Sequence, residues 1–205
     1  MKQIFVTGIS TEVGKTIASA IITEALEADY WKPVQAGELE TSDSHKIAGF
    51  ISNKRTVIHK NSYALETPMS PHAAAEIDEI TIALCNIVEP KTINTLVIEG
   101  AGGLLVPLND TDTILDIIKP NYKVVVVSRH YLGSINHTLL TIELLQQKGF
   151  EIAVLFSGDA HPTTESIILK KTGVKLIGRI AEEKEFNKEV IKKYAHKFKA
   201  SLKAL

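Results

Sequence analysis

The residues with the clearest chemical potential lie near the N-terminus, at positions 8–16, which read GISTEVGKT between an apolar run and a helix-like stretch. Backbone N–H groups of such a loop and the positive end of the following helix together attract phosphate. In this pattern Lys15 would reach the outer phosphates of a nucleotide, and the Thr16 hydroxyl would bind Mg²⁺. Five residues, not the common four, separate Gly8 from Gly14, and a glycine turn beside a solvated lysine is the alternative. Because strand, loop and helix follow in the expected order, the segment predicts a site for a nucleoside triphosphate.

Three further residues could serve the same site. Glu99 follows the apolar run 96–98 and begins the sequence EGAGG, in which the glycines allow a ligand to approach the backbone closely. An acid there suits Mg²⁺, although a tight turn with an incidental acid is the alternative. Lys32 ends another short apolar run and is either a solvated lysine or a second cation aimed at a transferring phosphoryl group. Asp43 lies in a polar loop and is by default a helix N-cap or a surface acid.

The elements that must position these residues alternate between strands and helices. Predicted strands cover residues 4–6, 30–35, 94–99, 123–128, 152–156 and 174–178. Predicted helices cover residues 17–26, 46–51, 80–88, 134–148 and 163–172, with another starting near 73 and an amphipathic one from Phe186 to the end. Alternation of this kind predicts an α/β fold with a doubly wound, mostly parallel sheet, helices on both faces, and a P-loop NTPase-like architecture. Ligands bind such sheets at the carboxyl ends of the strands, so residues 8–16, 32, 99–103 and 128–133 should converge on one cleft.

Composition limits the class of protein. The 205 residues are 44% hydrophobic and 23% charged, which suits one domain over residues 1–205. A net charge of −1 gives no global field for nucleic acid or an anionic membrane, and no apolar run approaches the ~20 residues of a membrane span. The chain enters a strand almost at once, which leaves no room for a signal peptide. The single Cys85 cannot form an internal disulfide, and its apolar surroundings predict a buried thiol. We therefore expect a cytoplasmic protein without nucleic-acid or membrane partners.

The succession of these stretches resembles the dethiobiotin synthetase family. The landmarks occur in family order across roughly the first 140 residues, at positions 8–16, 32–34, 42–43, 68–72, 99–103, 107–108 and 132–137. That succession is far more specific than any one motif. A phosphate loop alone is shared by proteins of very many functions.

The resemblance implies a magnesium-dependent ligase. Its substrates would be 7,8-diaminopelargonate, CO₂ and ATP, and the reaction would pass through a carbamate and a carbamic–phosphoric anhydride to a cyclic urea. Catalytic roles fall to Lys15, Lys32 and Thr11, and the Mg²⁺ ligands would be Thr16, Asp43 and Glu99. Nucleotide contacts are implied for Glu12, Val13, Gly14, Lys15, Thr16, Ile17, Glu99, Gly100, Ala101, Gly102, Gly158 and Asp159. Substrate contacts are implied for Thr11, Lys32, Ala36, Pro71, Leu132, Gly133 and Asn136. In the family the Leu-Gly-x-Ile-Asn stretch serves the neighbouring subunit, which implies a homodimer with a shared active site.

Several positions depart from the family pattern. They are Ser10, often an acid; Ala36, often a serine; Tyr131, often a lysine; Gly158, which stands for the asparagine that reads adenine; and Ala181, usually a proline. The base pocket therefore looks rebuilt, and we expect weak preference for ATP, with GTP and other triphosphates used comparably. Asp159 could accept hydrogen bonds from guanine, whereas backbone groups near Gly158 and residues 180–182 could still read adenine.

Two other classes of phosphate-loop protein fit less well. A partition-type ATPase, which acts as a molecular switch, would carry a lysine at the position of Ser10. A regulatory GTPase would carry Asn-Lys-x-Asp after a late strand, where this chain has FSGD at residues 156–159. A nucleotide assay with and without diamine and bicarbonate separates these classes from the synthetase.

Overall fold

A parallel sheet of seven strands forms the centre of the computed structural model, which describes residues 2–205. The strands of the described chain are β1 (Gln3–Gly8), β2 (Asp29–Trp31), β3 (Val34–Ala36), β4 (Ile58–His59), β5 (Tyr63–Leu65), β6 (Leu96–Glu99), β7 (Lys123–Arg129), β8 (Glu151–Ser157) and β9 (Lys175–Ile180). The α-helices are α1 (Lys15–Leu26), α2 (Asp43–Phe50), α3 (Pro71–Ile77), α4 (Ser134–Gln147), α5 (Pro162–Thr172) and α6 (Lys188–Lys203). Within residues 2–205, no helix combines the length and the apolar character needed to cross a membrane.

The strand order is β4-β2-β6-β1-β7-β8-β9, with β3 and β5 in a separate two-stranded sheet. β1 lies at the middle and pairs in parallel with β6 on one side and β7 on the other. From β1 the chain runs to β2 and β4 on one side and returns to β6, which lies between β2 and β1. It then continues outward on the other side through β7, β8 and β9, so the order reverses beside β1. Open α/β sheets bind ligands at such a reversal, next to the carboxyl ends of the strands. The predicted α/β fold is confirmed.

Burial explains why these segments form strands and helices. The valines at 124–127 in β7 are buried, as expected for a strand covered on both faces. On α6, the buried residues Tyr194, Phe198 and Leu202 recur at four-residue spacing. The helix predicted from Phe186 begins two residues later, at Lys188, after the N-cap Asn187. The ring of Phe198 packs directly on β9, because a Cβ at Gly178 would lie 2.4 Å from its Cε1. Only glycine permits that approach.

Two predicted elements are wrong. The strand predicted at 30–35 divides at Pro33 into β2, in the main sheet, and β3, in the small sheet, because proline has no N–H for a ladder hydrogen bond. The helix predicted at 80–88 is reduced to one 3₁₀ turn, Leu84–Asn86. The Tyr63 hydroxyl accepts the N–H of Ala83 at 3.0 Å, which holds the segment in a non-helical path. Cys85 is exposed on this turn, so the prediction of a buried thiol is also wrong.

Candidate active site

The phosphate loop connects β1 to α1 with a conformation that needs both of its glycines. A Cβ at Gly8 would lie 2.6 Å from the carbonyl oxygen of Ser10 and 2.6 Å from Val13. Gly14 has φ = 93° and is the N-cap of α1, a left-handed conformation that favours glycine. Lys15 and Thr16 lie in the first turn of α1, directly after this cap.

A cleft of 1250 Å³ opens at the carboxyl edge of the sheet. It is lined by Thr11, Glu12, Gly14, Lys15, Thr16, Ile17, Lys32, Ala36, Asp43, Pro71, Glu99, Ala101 and Gly102 among the predicted site residues. Val13 and Gly100 lie buried behind this lining. Arg129, Ser157 and Ile180, at the ends of β7, β8 and β9, line its far side. The predicted convergence on one cleft is therefore present for residues 8–16, 32 and 99–103, whereas of the predicted residues 128–133 only Arg129 lines the cleft.

Thr16 is the meeting point of two carboxylates that are far apart in sequence. Its Oγ1 lies 2.9 Å from Asp43 Oδ1 and 2.9 Å from Glu99 Oε1. Asp43 reaches this point because Ser42 caps α2 by accepting the N–H of His45, which starts the helix earlier than the predicted residue 46. One hydroxyl proton can satisfy only one carboxylate at a time, so the three groups offer spare oxygen ligands.

This donor set fits Mg²⁺, which prefers hard oxygen ligands in octahedral geometry. Residues 2–205 contain no cluster of three or more His, Cys, Asp or Glu side chains able to hold a metal by themselves. An ion held by Thr16, Asp43 and Glu99 would therefore depend on phosphate oxygens and water for its remaining ligands. Such a site binds metal together with nucleotide.

Two buried lysines flank the carboxylates. Lys32 is 6% exposed, forms an ion pair with Asp43, and places its Nζ 3.7 Å from Glu99 Oε1. Burial alone would lower the pKa of Lys32, but the charges of Glu99 and Asp43 outweigh burial and hold that pKa above its usual value. Burial would likewise raise the pKa of Asp43, but the Lys32 charge and its hydrogen bond hold that pKa below its usual value. Both groups are therefore charged at neutral pH.

Lys15 has a different environment. It is 8% exposed, and its Nζ donates to the carbonyl oxygen of Ser10 at 3.0 Å. Burial lowers its pKa to about 8, with Lys32 adding to the decrease and Glu99 opposing it. Its one hydrogen-bond partner is a backbone carbonyl within the loop. A phosphate group would therefore give this cation the anionic partner it lacks.

A buried tyrosine that sequence reasoning missed completes the cluster. The Tyr30 hydroxyl donates to Glu99 Oε2 at 3.0 Å, and Tyr30 is fully buried. In the parallel register, Tyr30 aligns with Val97, so Tyr30 and Lys32 share a sheet face with Glu99. Only this register, which the sequence does not give, could have revealed the contact.

The far side of the cleft contains an ion pair beside Gly158. Arg129 Nη2 donates to Glu182 Oε1 at 2.6 Å, and both residues line the cleft. A Cβ at Gly158 would lie 3.5 Å from Glu182 Oε1 and 4.0 Å from Arg129 Cγ, so the pair stands beside the position without a side chain. Asp159 is exposed and is not part of the cleft lining, whereas Ala181 is.

Leu132, Gly133 and Asn136 lie outside the cleft of their own chain. Leu132 is fully exposed, and Gly133, with φ = 100°, is the N-cap of α4. The part of α4 that does line the cleft begins at His137. The three residues therefore face solvent beside the cleft mouth.

Comparison with known proteins places this geometry in a family. A model described as an AAA domain matches residues 2–190. The chain is 59% identical to an ATP-dependent dethiobiotin synthetase of Christiangramia forsetii over 202 residues, which is 98% of each chain. It is 48% identical to the Cytophaga hutchinsonii protein of the same name, over 96% of this chain and 97% of that one.

Similarity to solved structures concerns the fold alone. A plasmid partition protein from Borrelia burgdorferi superposes with a TM-score of 0.64 at 15% identity, covering 100% of this chain and 99% of that one. A ParA family ATPase from Chlorobium tepidum gives 0.56 at 12% identity, over 95% and 98%. These two proteins share the fold at 12–15% sequence identity. The two synthetases are 48–59% identical to this chain over nearly its whole length. This chain belongs to the ATP-dependent dethiobiotin synthetase family.

Proposed function

We propose that this protein is a magnesium-dependent ligase that forms dethiobiotin from 7,8-diaminopelargonate, CO₂ and a nucleoside triphosphate. The observation that carries the proposal is the cluster of Thr16, Asp43 and Glu99 between two buried lysines, at the mouth of the phosphate loop. Such a cluster can stabilise the negative charge of a phosphoryl group during its transfer. The full-length identity to synthetases supports the choice of substrate.

The reaction needs little covalent chemistry from the protein. One amine of the substrate adds to CO₂ and loses a proton to give a carbamate, whose oxygen then attacks the γ-phosphorus as the nucleoside diphosphate leaves. The second amine attacks the carbamate carbon, phosphate leaves, and the ring closes. Lys15 and Lys32 neutralise the phosphoryl oxygens during the transfer, and Thr11, which also lines the cleft, orients the substrate. Thr16, Asp43 and Glu99 would hold a Mg²⁺ ion, which would add positive charge beside the phosphates when bound.

Co-substrate dependence tests the proposal. The protein is incubated with Mg²⁺ and ATP, with or without diamine and bicarbonate, and both phosphate and dethiobiotin are measured. We expect phosphate release only when both co-substrates are present, in equal amount to dethiobiotin, and none from Lys15→Ala. Phosphate release that is independent of diamine would instead indicate a switch ATPase, and the synthetase assignment would be wrong.

We infer that the active unit is a homodimer in which residues 132–136 complete the partner's substrate pocket. Exposed apolar side chains at Leu132, Ile135 and Leu140 beside the cleft mouth support this arrangement. A partner would cover them.

Mixing inactive variants tests the shared site. Lys15→Ala and Leu132→Asp chains, refolded together, should regain activity, because one site of each mixed dimer has a normal loop and a normal Leu132. The control mixture of Lys15→Ala with Lys32→Ala should stay inactive, since both lysines belong to the same site. Equal activity of the two mixtures would rule the shared site out.

We infer further that the nucleotide base is read weakly. Position 158 has no side chain, Asp159 lies off the cleft, and the polar groups near the expected base are the half-exposed Arg129 and Glu182. A pocket discriminates strongly between bases only when the wrong base leaves buried donors or acceptors of the protein unpaired, whereas half-exposed groups can bind water instead.

We also propose that the enzyme is cytoplasmic, where the free thiol of Cys85 would stay reduced.

A further inference from the structure

Tyr30 is a fully buried phenol in direct contact with the charged cluster. Its hydroxyl donates to Glu99 Oε2 at 3.0 Å, and Glu99 itself is 1% exposed. Buried hydroxyls need partners, and the structure gives this hydroxyl a carboxylate. Charge-assisted hydrogen bonds of this kind are stronger than those between neutral groups.

The two oxygens of Glu99 have separate partners. Oε1 faces the Thr16 hydroxyl at 2.9 Å and the Lys32 ammonium at 3.7 Å, while Oε2 faces Tyr30. The hydrogen bond from Tyr30 therefore fixes the plane of the carboxylate and directs Oε1 toward the phosphate loop. Without it, the carboxylate would be free to turn both oxygens toward the cations.

Burial and the charges of Glu99 and Asp43 hold the pKa of Tyr30 well above its usual value of 10, so the phenol is the donor in its hydrogen bond with Glu99.

We propose that Tyr30 is a positioning residue that sets the affinity of the Glu99 site for its divalent cation by orienting Glu99 Oε1. This inference rests on the proposed role of Thr16, Asp43 and Glu99 as metal ligands. Outer-shell partners of metal ligands typically change metal affinity by about 10–100-fold when they are removed. We expect a change in that range at this site.

The test compares two substitutions of the same kind. Tyr30→Phe removes the hydroxyl and keeps the ring. Tyr122→Phe is the matched control, because the Tyr122 hydroxyl also donates to a glutamate, Glu89, at 2.6 Å, in a buried position away from the cleft. Mn²⁺ affinity is measured by electron paramagnetic resonance with a non-hydrolysable ATP analogue present, and each variant's melting temperature is recorded.

We expect Tyr30→Phe to weaken Mn²⁺ binding by about tenfold or more. Tyr122→Phe should leave the Mn²⁺ affinity unchanged, although both variants should have a lower melting temperature. In a Glu99→Gln background, Tyr30→Phe should produce a much smaller change, because the carboxylate it orients is gone. Equal Mn²⁺ affinity of Tyr30→Phe and wild type would overturn the inference. A wild-type protein that binds nucleotide but no Mn²⁺ would instead overturn the metal site itself.

A second measurement uses a protein with its hydroxyl in place. 3-Fluorotyrosine is introduced at position 30, or at position 122 as the control, and its ¹⁹F resonance is followed as Mg²⁺ and the analogue are added. We expect a shift at position 30 and none at position 122. A position-30 resonance that does not respond to the metal would contradict the coupling, even if Tyr30→Phe failed to fold.

Discussion

Replacement of Lys32 by Met should destabilise the protein as well as inactivate it. Lys32 is buried between Asp43 and Glu99, and methionine would leave two carboxylates facing one Thr16 hydroxyl. Removing one partner of a buried ion pair costs about 3–5 kcal/mol, and the partial exposure of Asp43 favours the lower value, about 3 kcal/mol. For a chain of 205 residues, each kcal/mol shifts the melting temperature by about 2–4 °C. We expect a decrease of roughly 6–12 °C at pH 7.

The pH dependence of this decrease has a definite sign. Because Lys32 holds the pKa of folded Asp43 below its usual value, the stabilisation is present above the unfolded pKa of about 3.9. It is lost as the pH falls through the folded pKa. The difference in melting temperature between wild type and Lys32→Met should therefore be largest near pH 7 and should shrink below pH 4.

Calorimetry at several pH values and single-turnover phosphate release check both consequences. The loss of one cation from a phosphoryl-transfer site should slow turnover by about 10³-fold or more. Lys46→Met is the matched control, because Lys46 is exposed and lies 3.9 Å from the same Asp43, where a surface pair contributes little. A Lys32→Met protein with wild-type melting temperature and turnover within tenfold would refute the role of Lys32 in both folding and catalysis.

Three further outcomes are expected. Asp43→Asn should raise the Mg²⁺ concentration for half-maximal activity by about tenfold, since a neutral amide is a poorer magnesium ligand; an unchanged Mg²⁺ titration would contradict the assignment. In EDTA, triphosphate affinity should fall as the pH rises through about 8, because Lys15 loses its charge there. A triphosphate affinity, measured by fluorescence titration, that stays constant from pH 7 to 9.5 would contradict this. At saturating diamine, kcat/KM for ATP, GTP, CTP and UTP should agree within about a hundredfold, whereas a larger ATP preference, above about 2.7 kcal/mol, would mean that the pocket reads adenine.

Much of the fold could be predicted because several elements carry long, regular patterns of apolar residues. The valine run of β7 and the four-residue spacing of α6 each identify their element without tertiary information. Residues 80–88 lack such a signal, since a short apolar run fits helix and extended chain equally well. There Ile82 alone is deeply buried, while Ile80 and Val88 are exposed.

For the candidate site, the sequence was informative where a strand end supplies the residue. The phosphate loop and Glu99 follow neighbouring parallel strands, so their meeting is a consequence of the sheet. Tyr30 and Glu182 could not be identified in this way, because the contact of Tyr30 depends on strand register and that of Glu182 on the path of the loop after β9. A single functional residue within a strand or loop forms no motif that the sequence alone would reveal.

The central place of β1 has a consequence for synthesis of the protein. Its neighbours in the sheet, β6 and β7, end at residues 99 and 129. β1 can therefore be paired on both edges only after the chain has been synthesised through residue 129. At about 5–20 residues per second, that interval is roughly 6–24 s on the ribosome. During it, an apolar strand with two free edges is open to aggregation. The phosphate loop follows directly from this strand, so the cluster around Thr16 cannot form before β6, which supplies Glu99, has been synthesised.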